Sequence, residues 1–587
     1  MESQSQDKNN ERVIINRELG ICEALIPVVV LVALLSFNVY VYGDEALSGS
    51  NQFVLLLGAA VAGIVGHFNK VSYKTMVEEV AQNLKSTTGA ILILLMVGAL
   101  AGTWLISGII PTMIYYGLDI LNPTIFLAAS VLICAVISIA TGSSWTTSAT
   151  VGIALIGIAG ALGISPGMTA GAVLSGAYFG DKLSPLSDTT NLAPAMAGTD
   201  LFTHIKYMTY TTIPTITITL IVFVILGFTI DTTGVADVSE YQLAIDNTFN
   251  TSPWLFLVPV AVIGMIVKKI SPLIALLLGT LLAALFALMF QSTIVYEKGL
   301  KYQIEEISEN MQQYVELENY SSSTFQNPGN FTLKPLNDEV TLSRQIGFDL
   351  PTGIQGNKTF ESGETTVFYK GESVGTLSIQ AEPTGYLITA YFAIMNSITV
   401  DAAITPVTEN VAIGEKLAGL FESGGMKGML GTIWLIICAM VFGGIMDAIG
   451  ALATISKALL NAFDSVFGLF ASTVASCLAI NFTASDQYLA LVVPGKMYEK
   501  AYREKGLAPE NLSRTLEDSG TVTSVLIPWN TCGAYHSTTL GVDVINYLPY
   551  AIFSYLSPFM TLLFAGLRIK IRELKVTPPT LDTLGEQ

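Results

Sequence analysis

The stretch 180–191, GDKLSPLSDTTN, concentrates polar side chains in an otherwise apolar part of the chain. It holds Asp181 and Asp188 together with a lysine, several hydroxyl residues and an asparagine. Carboxylate, hydroxyl, amide and carbonyl oxygens are the ligands that hard cations such as sodium prefer. Pro185 and the serines disfavour a continuous helix. The stretch is therefore interpreted as an unwound helix that binds a cation, with a surface loop as the alternative.

A second polar stretch, 516–531, reads LEDSGTVTSVLIPWNT and carries the same kinds of side chain. Asp518 is its central acid, Glu517 stands beside it as a supporting or merely neighbouring acid, and Pro528 breaks the helix. Two short polar turns, TGSSW and NFTASDQ, each separate two apolar arms. The oxygen-bearing candidates for cation binding in these four segments are Ser143, Ser144, Ser184, Thr189, Thr190, Asn191, Ser485, Thr521, Ser524, Asn530 and Thr531.

Four aspartates in or beside apolar segments are the candidates for handling ions and protons: Asp181, Asp188, Asp518 and Asp486. An ionisable side chain at the bilayer centre costs about 3 kcal/mol on insertion scales, so an acid there is functional by default. A carboxylate withdrawn from water can hold a proton or a metal cation, and a bound cation favours the ionised form. The two occupants therefore compete for one group, which is the chemistry that ion exchange requires.

Three further residues have both a functional and a structural interpretation. Asp447 is a lone acid in an apolar segment, but its position near the segment end also fits a solvated cap. His536 could titrate near neutral pH, although a satisfied polar contact is the favoured role. Lys182 either takes part in the site or neutralises Asp181 or Asp188 in a structural ion pair.

The composition predicts a polytopic membrane protein. Of the 587 residues, 51% are hydrophobic and 13% are charged, which is far too apolar for a soluble globular protein. The net charge of -18 argues against nucleic acid as a partner. The five cysteines lie in or beside apolar runs without CxxC spacing, so neither a disulfide framework nor a zinc site is predicted. No cofactor is expected.

The charged residues between apolar segments predict the orientation of the chain, because basic residues favour the cytoplasmic side. The segment 494–514, which ends at Arg514, is the strongest cytoplasmic signal, and both termini are predicted to be cytoplasmic. The predicted divisions are a cytoplasmic tail at 1–19, a first transmembrane repeat at 20–230, an outer loop at 231–253, two spans at 254–290, an extracytoplasmic insert at 291–400, the remainder of the second repeat at 401–570 and a cytoplasmic tail at 571–587.

The arms Pro123–Ala140 and Thr146–Leu162 are either two full crossings or one re-entrant hairpin, and both interpretations give the same orientation of the chain that follows.

The insert is predicted to be a small α+β domain. Its TVFYKGESVGTLSIQ segment alternates like two strands around a Gly-Glu turn. Its opening has helical spacing at Ile304, Ile307, Met311 and Tyr314.

The two halves of the chain show an internal repeat. AILILLMVGALAGTWLISG at 90–108 aligns with TIWLIICAMVFGGIMDAIG at 432–450, and the same offset places TGSSW on TASDQ. The two long polar stretches then pair with each other, Pro185 falling on Pro528. Each half has an odd number of crossings, so the halves enter the membrane in opposite directions. Inverted repeats with discontinuous helices are typical of secondary transporters, whose sites lie where the broken helices meet.

The motifs GDKLSPLSDTTNLAPA and LSRTLEDSGTVTSVLIPWNTCGA resemble the NhaC-type family of sodium/proton antiporters, over about residues 20–290 and 410–570. The resemblance implies sodium/proton exchange across a bacterial cytoplasmic membrane, with sodium ions and protons as the transported species. That family also includes sodium-linked exchangers of organic acids, such as malate/lactate antiporters, so the substrate is not decided by the resemblance. The insert at 291–400 departs from the compact family pattern.

The expected fold is an all-α polytopic membrane protein of two inverted repeats with re-entrant hairpins and broken helices, plus the α+β insert. The leading function is sodium/proton antiport by alternating access, in contact with membrane lipid and with a homo-oligomer left open. The alternative is a sodium-coupled exchanger of a small carboxylate or amino acid, which a buried arginine would favour; no arginine lies inside an apolar run. An intramembrane aspartyl protease fits less well, because its two acids need a plain helical setting. A channel is a further alternative.

Overall fold

The fold is given by a computed structural model. It describes residues 19–42, 49–120, 122–230, 238–298, 300–304, 314–318, 332–336, 339–342, 363–383, 385–400, 421–462 and 465–574. Most of the two terminal tails, part of the loop predicted to be outside, much of the insert and the residues 401–420 lie outside these ranges. The predictions for them stay predictions.

The described part of the first half is helical. Its helices are α1 (Ile21–Tyr42), α2 (Ser50–Phe68), α3 (Tyr73–Ile106), α4 (Ile109–Ile120), α5 (Pro123–Thr141), α6 (Ser144–Ala161), α7 (Pro166–Leu183), α8 (Asp188–Ala197), α9 (Leu201–Thr229) and α10 (Val238–Thr248). A π-helical turn at Ser148–Gly152 interrupts the regular hydrogen bonding of α6.

The second half contains further helices on both sides of the insert. They are α11 (Pro253–Val267), α12 (Pro272–Phe290), α13 (Ser292–Lys298), α14 (Tyr386–Met395), α15 (Gly425–Ala448), α16 (Ala451–Asn461), α17 (Val466–Thr483), α18 (Gln487–Glu504), α19 (Pro509–Leu516), α20 (Thr531–Leu540), α21 (Val544–Tyr550) and α22 (Ile552–Gly566).

Among the described residues, nine helices are long and apolar enough to cross a membrane, or up to 11 if each of two bent helix pairs counts as one span. Such helices satisfy their own backbone hydrogen bonds, which is the condition for crossing lipid. The predicted first span, Ile21 to Tyr42, coincides with α1. The prediction of a largely α-helical polytopic membrane protein is confirmed.

The polar stretches interrupt helices at the predicted places. α7 ends at Leu183, the chain is non-helical from Ser184 to Ser187, and α8 begins at Asp188. In the second stretch, α19 passes into a π-helical turn at Glu517–Thr521 and a short 3-10 turn before α20 begins at Thr531. These breaks have a low free-energy cost, because proline lacks the backbone N–H of a helix and the hydroxyl side chains compete with helical hydrogen bonding.

The described residues of the insert form short antiparallel strands: β1 (Leu300–Ile304), β2 (Val315–Glu318), β3 (Thr332–Pro335), β4 (Val340–Leu342), β5 (Gly363–Tyr369) and β6 (Glu372–Pro383). β5 and β6 form the expected hairpin, but its turn is Lys370–Gly371, since both residues have the positive φ that such turns require. The predicted helix at Ile304 is wrong, because Ile304 pairs with Ile379 in a sheet of strand order β1-β6-β5-β4. Two further short strands, β7 (Ile398–Thr399) and β8 (Glu422–Ser423), pair with each other.

Glycines allow several helices to approach closely. A Cβ on Gly443 of α15 would lie 2.6 Å from the carbonyl oxygen of Ala484. Gly98 and Gly102 of α3 face the backbone of Gly425 and of Ala393 in the same way. Small residues at such contacts permit the van der Waals packing that holds membrane helices together.

Gly443→Ala is expected to destabilise the protein by about 1–3 kcal/mol, because the added methyl overpacks the contact with the Ala484 carbonyl. The matched control is Gly431→Ala in the same helix, where an added Cβ meets no atom within 4 Å. Thermal unfolding in detergent measures both variants. A Gly443→Ala protein that melts with the control would show that this approach tolerates a methyl group.

Two aspartates occupy helix N-caps, and the cysteines differ in exposure. Asp200 caps α9, its carboxylate accepting the backbone N–H of Thr203 at 2.9 Å, and hydrogen bonds from Thr203 lower the pKa of this exposed carboxyl. Asp543 occupies the N-cap position of α21, without a side-chain capping hydrogen bond. Cys22 is exposed, and the other four cysteines are buried.

Candidate functional site

A cavity of about 430 Å³ lies between the first polar stretch and the two short polar turns, and the second polar stretch contributes Thr531 to its lining. One end reaches the protein surface beside Lys269 and Ser271, the exposed turn between α11 and α12, and near Thr87 of α3. The inner end is lined by Trp145 and Thr531. The cavity is therefore reached from the end of the helix bundle that carries Lys268 and Lys269.

Four helices begin at this cavity. They are α6, α8, α18 and α20, and each is capped by a side chain that accepts a backbone N–H of its own first turn. The capping residues are Ser143, Ser187, Asp486 and Asn530. Helix N-termini carry partial positive charge and free N–H groups. Four of them around one space favour ionised carboxylates there.

Three carboxylates line the cavity: Asp181, Asp188 and Asp486. Asp181, which is 8% exposed, accepts hydrogen bonds from the Ser144 backbone N–H at 3.1 Å and from the Ser144 hydroxyl at 2.7 Å. Asp188 is the first residue of α8 and is exposed, whereas Asp486 is buried as the cap of α18, 3.0 Å from the Leu489 N–H. The cavity thus offers several oxygen ligands to a cation.

Asp518 does not line the cavity. Its carboxylate contacts the Lys182 ammonium in a fully buried ion pair and accepts hydrogen bonds from the hydroxyls of Thr561 and, at 2.9 Å, Thr211. The Lys182 ammonium also donates to the Ser557 hydroxyl at 3.1 Å. The prediction that Lys182 neutralises Asp181 or Asp188 is wrong. Lys182 follows Asp181 within α7, so the two side chains point about 100° apart around the helix axis.

Glu517 is a neighbour of the cavity that the sequence alone left undecided. It is fully buried, and its Oε1 accepts the Thr189 hydroxyl at 3.1 Å. Thr189 itself lines the cavity and stands 3.2 Å from the Ser187 hydroxyl. The Ser187 and Thr189 hydroxyls therefore connect the cavity with Glu517. The sequence already shows that Glu517 adjoins Asp518, but the contact between Glu517 and Thr189 depends on how α8 packs against the π-helical turn.

The other predicted oxygen ligands fall into three groups. Ser143 and Thr531 line the cavity. Ser184, Thr190 and Asn191 instead donate to backbone carbonyls within or beside the first break, including those of Ile139 and Asp181. In the second break, Ser524 donates to the Thr521 carbonyl. The side chains that stabilise the unwound backbone are therefore mostly not those that line the cavity. Ser485, at the second hairpin tip, and Thr521 have hydroxyls without hydrogen-bond partners in the described part of the chain.

Asp447 and His536 also lie away from the cavity lining. Asp447 is half-buried near the end of α15, and its electrostatic neighbours are Glu79 and Lys496. His536 is fully buried, and neither ring nitrogen makes a hydrogen bond within the residues that the structure describes. A satisfied polar contact for His536 is therefore not found.

Arg514 is fully buried, although the sequence identifies it only as the last basic residue of a segment predicted to be cytoplasmic. The guanidinium lies over the Tyr207 ring, 4.6 Å from the centroid, and its nitrogens make no hydrogen bond within the described ranges. A buried arginine is therefore present, but not at the cavity. It supplies no counter-charge for an anion bound there.

Secondary transporters are polytopic membrane proteins whose sites lie where broken helices meet. A cavity beside broken helices in a bundle of membrane spans is typical of this class. The sequence pattern of the Na+/H+ antiporter family matches residues 176–302 and 367–567. The chain belongs to this family. The matched regions include both helix breaks and the helices α17 and α18.

Similar proteins extend over nearly the whole chain. It is 32% identical to the Na(+)/H(+) antiporter NhaC of Alkalihalophilus pseudofirmus, covering 88% of this chain and 90% of that protein. It is 30% identical to the malate-2H(+)/Na(+)-lactate antiporter of Bacillus subtilis, covering 91% and 92%. It is 28% identical to the arginine/ornithine antiporter ArcD of Halobacterium salinarum, covering 95% and 94%. The family is thus shown, while its members are named for different substrates.

Proposed function

We propose that the protein exchanges sodium ions for protons across a bacterial cytoplasmic membrane, with the sodium site in the cavity. The observation that carries this proposal is that three carboxylates line one accessible cavity: Asp181, Asp188 and Asp486. Sodium prefers such oxygen ligands. The Na+/H+ antiporter family match supports the same exchange.

Competition for the same carboxylates couples the two ions. When Asp181 is ionised, it attracts sodium; when it is protonated, it loses its charge and the sodium leaves. The backbone N–H of Ser144 and the N-terminus of α6 stabilise the ionised form, so the carboxylate can bind a cation without a fixed basic partner. Ion and proton then occupy the site in alternation.

Alternating access needs the cavity to open in turn to each face of the membrane. Its present opening beside Lys268 and Lys269 corresponds to the cytoplasmic face by the positive-inside rule. We propose that the hairpins α5–α6 and α17–α18, with the two broken helices, are the corresponding parts of inverted repeats. Rocking of one repeat against the other would move the opening without moving the carboxylates far.

Sodium-driven proton movement in reconstituted vesicles tests the function. An inward sodium gradient is expected to make the interior of vesicles containing the protein alkaline, as reported by a trapped pH dye. Choline in place of sodium is the control for electrical and osmotic effects. Vesicles that show no sodium-driven pH change would refute the proposal, and flux independent of an opposing proton gradient would indicate a channel.

A second candidate function is sodium-coupled exchange of a small organic acid or amino acid. The cavity is far larger than one water molecule, whose share of liquid volume is about 30 Å³, and four helix N-termini can bind a carboxylate group. The names of the malate/lactate and arginine/ornithine relatives favour this reading. Addition of malate, lactate or arginine to the same vesicles decides it. Proton movement that requires one of these solutes would replace sodium/proton exchange as the function.

A further inference from the structure

Beyond the inner end of the cavity, one face of α20 carries buried polar side chains, and two of them lack hydrogen-bond partners among the described residues. Cys532, His536 and Thr539 follow each other at helical spacing on this face. Both ring nitrogens of His536 and the Thr539 hydroxyl make no hydrogen bond within the described ranges, and neither does the Tyr178 hydroxyl from α7. The ring centroids of Tyr178 and His536 are 5.5 Å apart, so these groups share one region.

Unpaired polar groups are costly in a membrane protein. Leaving a buried donor or acceptor without a partner costs about 1–3 kcal/mol, and membrane interiors offer no water in compensation. A row of such groups indicates that they meet water in another conformation of the protein. Imidazole and hydroxyl groups hydrogen-bond to water and can contact a small hydrated cation, so these are the partners that we expect.

An aromatic pair separates this row from the cavity. The rings of Trp145 and Tyr535 are stacked, with centroids 4.0 Å apart and planes 20° from parallel. The Tyr535 hydroxyl donates to the Trp145 backbone carbonyl at 3.0 Å. Trp145 lines the cavity and follows the first hairpin tip, while Tyr535 belongs to α20. The pair thus joins the two halves of the chain where the cavity ends.

The row leads away from Asp181 along α7. Tyr178, whose ring lies 5.5 Å from that of His536, precedes Asp181 by one turn of α7. A Cβ on Gly152 would lie close to both Leu540 of α20 and Val173 of α7. Helix α20 therefore runs from the cavity back along α7, toward the end of α7 that lies away from Asp181.

We propose that the polar face of α20 is the closed half of the transport path and that the Trp145–Tyr535 pair is its gate. The inference rests on the proposed alternating access, but not on which solute is carried. In the second conformation the pair separates, and the Cys532, His536 and Thr539 face becomes hydrated. The same movement closes the mouth beside Lys269.

Native Cys532 provides the test. In a Cys22→Ser background, proteoliposomes of known orientation are treated with a membrane-impermeant methanethiosulfonate on either side, and labelled cysteines are mapped by mass spectrometry. We expect Cys532 to be labelled only from the face opposite Lys268 and Lys269, at a rate that changes severalfold between sodium and choline. Cys438 and Cys477, which are buried elsewhere, are internal controls.

Two introduced cysteines define the ends of the path. Thr539→Cys is expected to label from the same face as Cys532 and faster, whereas Ser187→Cys in the cavity labels from the mouth face. If Cys532 and Thr539→Cys react from neither face, or from the mouth face, the path is refuted. Opposite-face labelling that is insensitive to sodium supports the path and contradicts sodium as the solute, so failure of the two proposals is distinguishable.

A gate variant provides an independent measurement. Tyr535→Phe keeps the stacked ring but removes the hydrogen bond to the Trp145 carbonyl, and is expected to raise the Cys532 labelling rate severalfold. Tyr555→Phe is the matched control, since its exposed hydroxyl reaches only the Pro549 carbonyl at 3.4 Å. An unchanged rate in Tyr535→Phe would remove the gate from the proposal.

Discussion

Asp181→Asn is expected to abolish sodium-driven proton movement. Asparagine keeps the shape of the side chain and can still accept the Ser144 hydrogen bonds, but it carries neither a charge for sodium nor a titratable proton. Losing a charged partner costs about 1.5–3 kcal/mol, which corresponds to a roughly 10- to 150-fold weaker sodium affinity. The residual binding should also lose much of its dependence on pH.

The measurement combines exchange in vesicles with sodium binding across a pH series. In the wild type, sodium binding should strengthen as pH rises, because protons leave the shared carboxylates. Asp200→Asn is the matched control: it makes the same chemical change at a helix cap, where asparagine and aspartate are about equally good. Normal exchange in Asp181→Asn, Asp188→Asn and Asp486→Asn alike would show that the cavity is not the ion site.

Lys182→Met is expected to cause a large loss of stability. It removes the cation from a fully buried pair and leaves the Asp518 carboxylate with hydroxyl donors alone. Breaking a buried pair in this way typically costs about 3–5 kcal/mol. The double variant Lys182→Met/Asp518→Asn removes both charges, so it should recover much of that loss.

Thermal unfolding in detergent of the two single variants and the double variant measures the coupling. Lys500→Met is the control, because its pair with Glu504 is exposed at 3.6 Å and such pairs contribute about 0–1 kcal/mol. Additive effects in the cycle would mean that Lys182 and Asp518 do not stabilise each other. Exchange by the double variant would further show whether Asp518 is needed for ion handling, as the sequence predicts, or only for folding.

Local sequence accounts for most of the architecture. The apolar run at Ile21–Tyr42 predicts its span because length and hydropathy are properties of one segment. The breaks after Leu183 and after Leu516 follow from proline and hydroxyl side chains that act on their own backbone. Where the signal was weak, as at Ile304 in the insert, strand pairing with a distant segment overrode the helical spacing.

The sequence by itself determined that this is a membrane protein with two polar helix breaks, and which residue types could bind a cation. Tertiary structure decided which of them meet. It placed Asp486, at the start of α18, on the same cavity as Asp181, paired Lys182 with Asp518, and buried Arg514 against Tyr207. Each of these arrangements involves residues far apart in the chain or depends on how a helix face packs. Hydropathy and periodicity describe one segment at a time, and therefore cannot specify them.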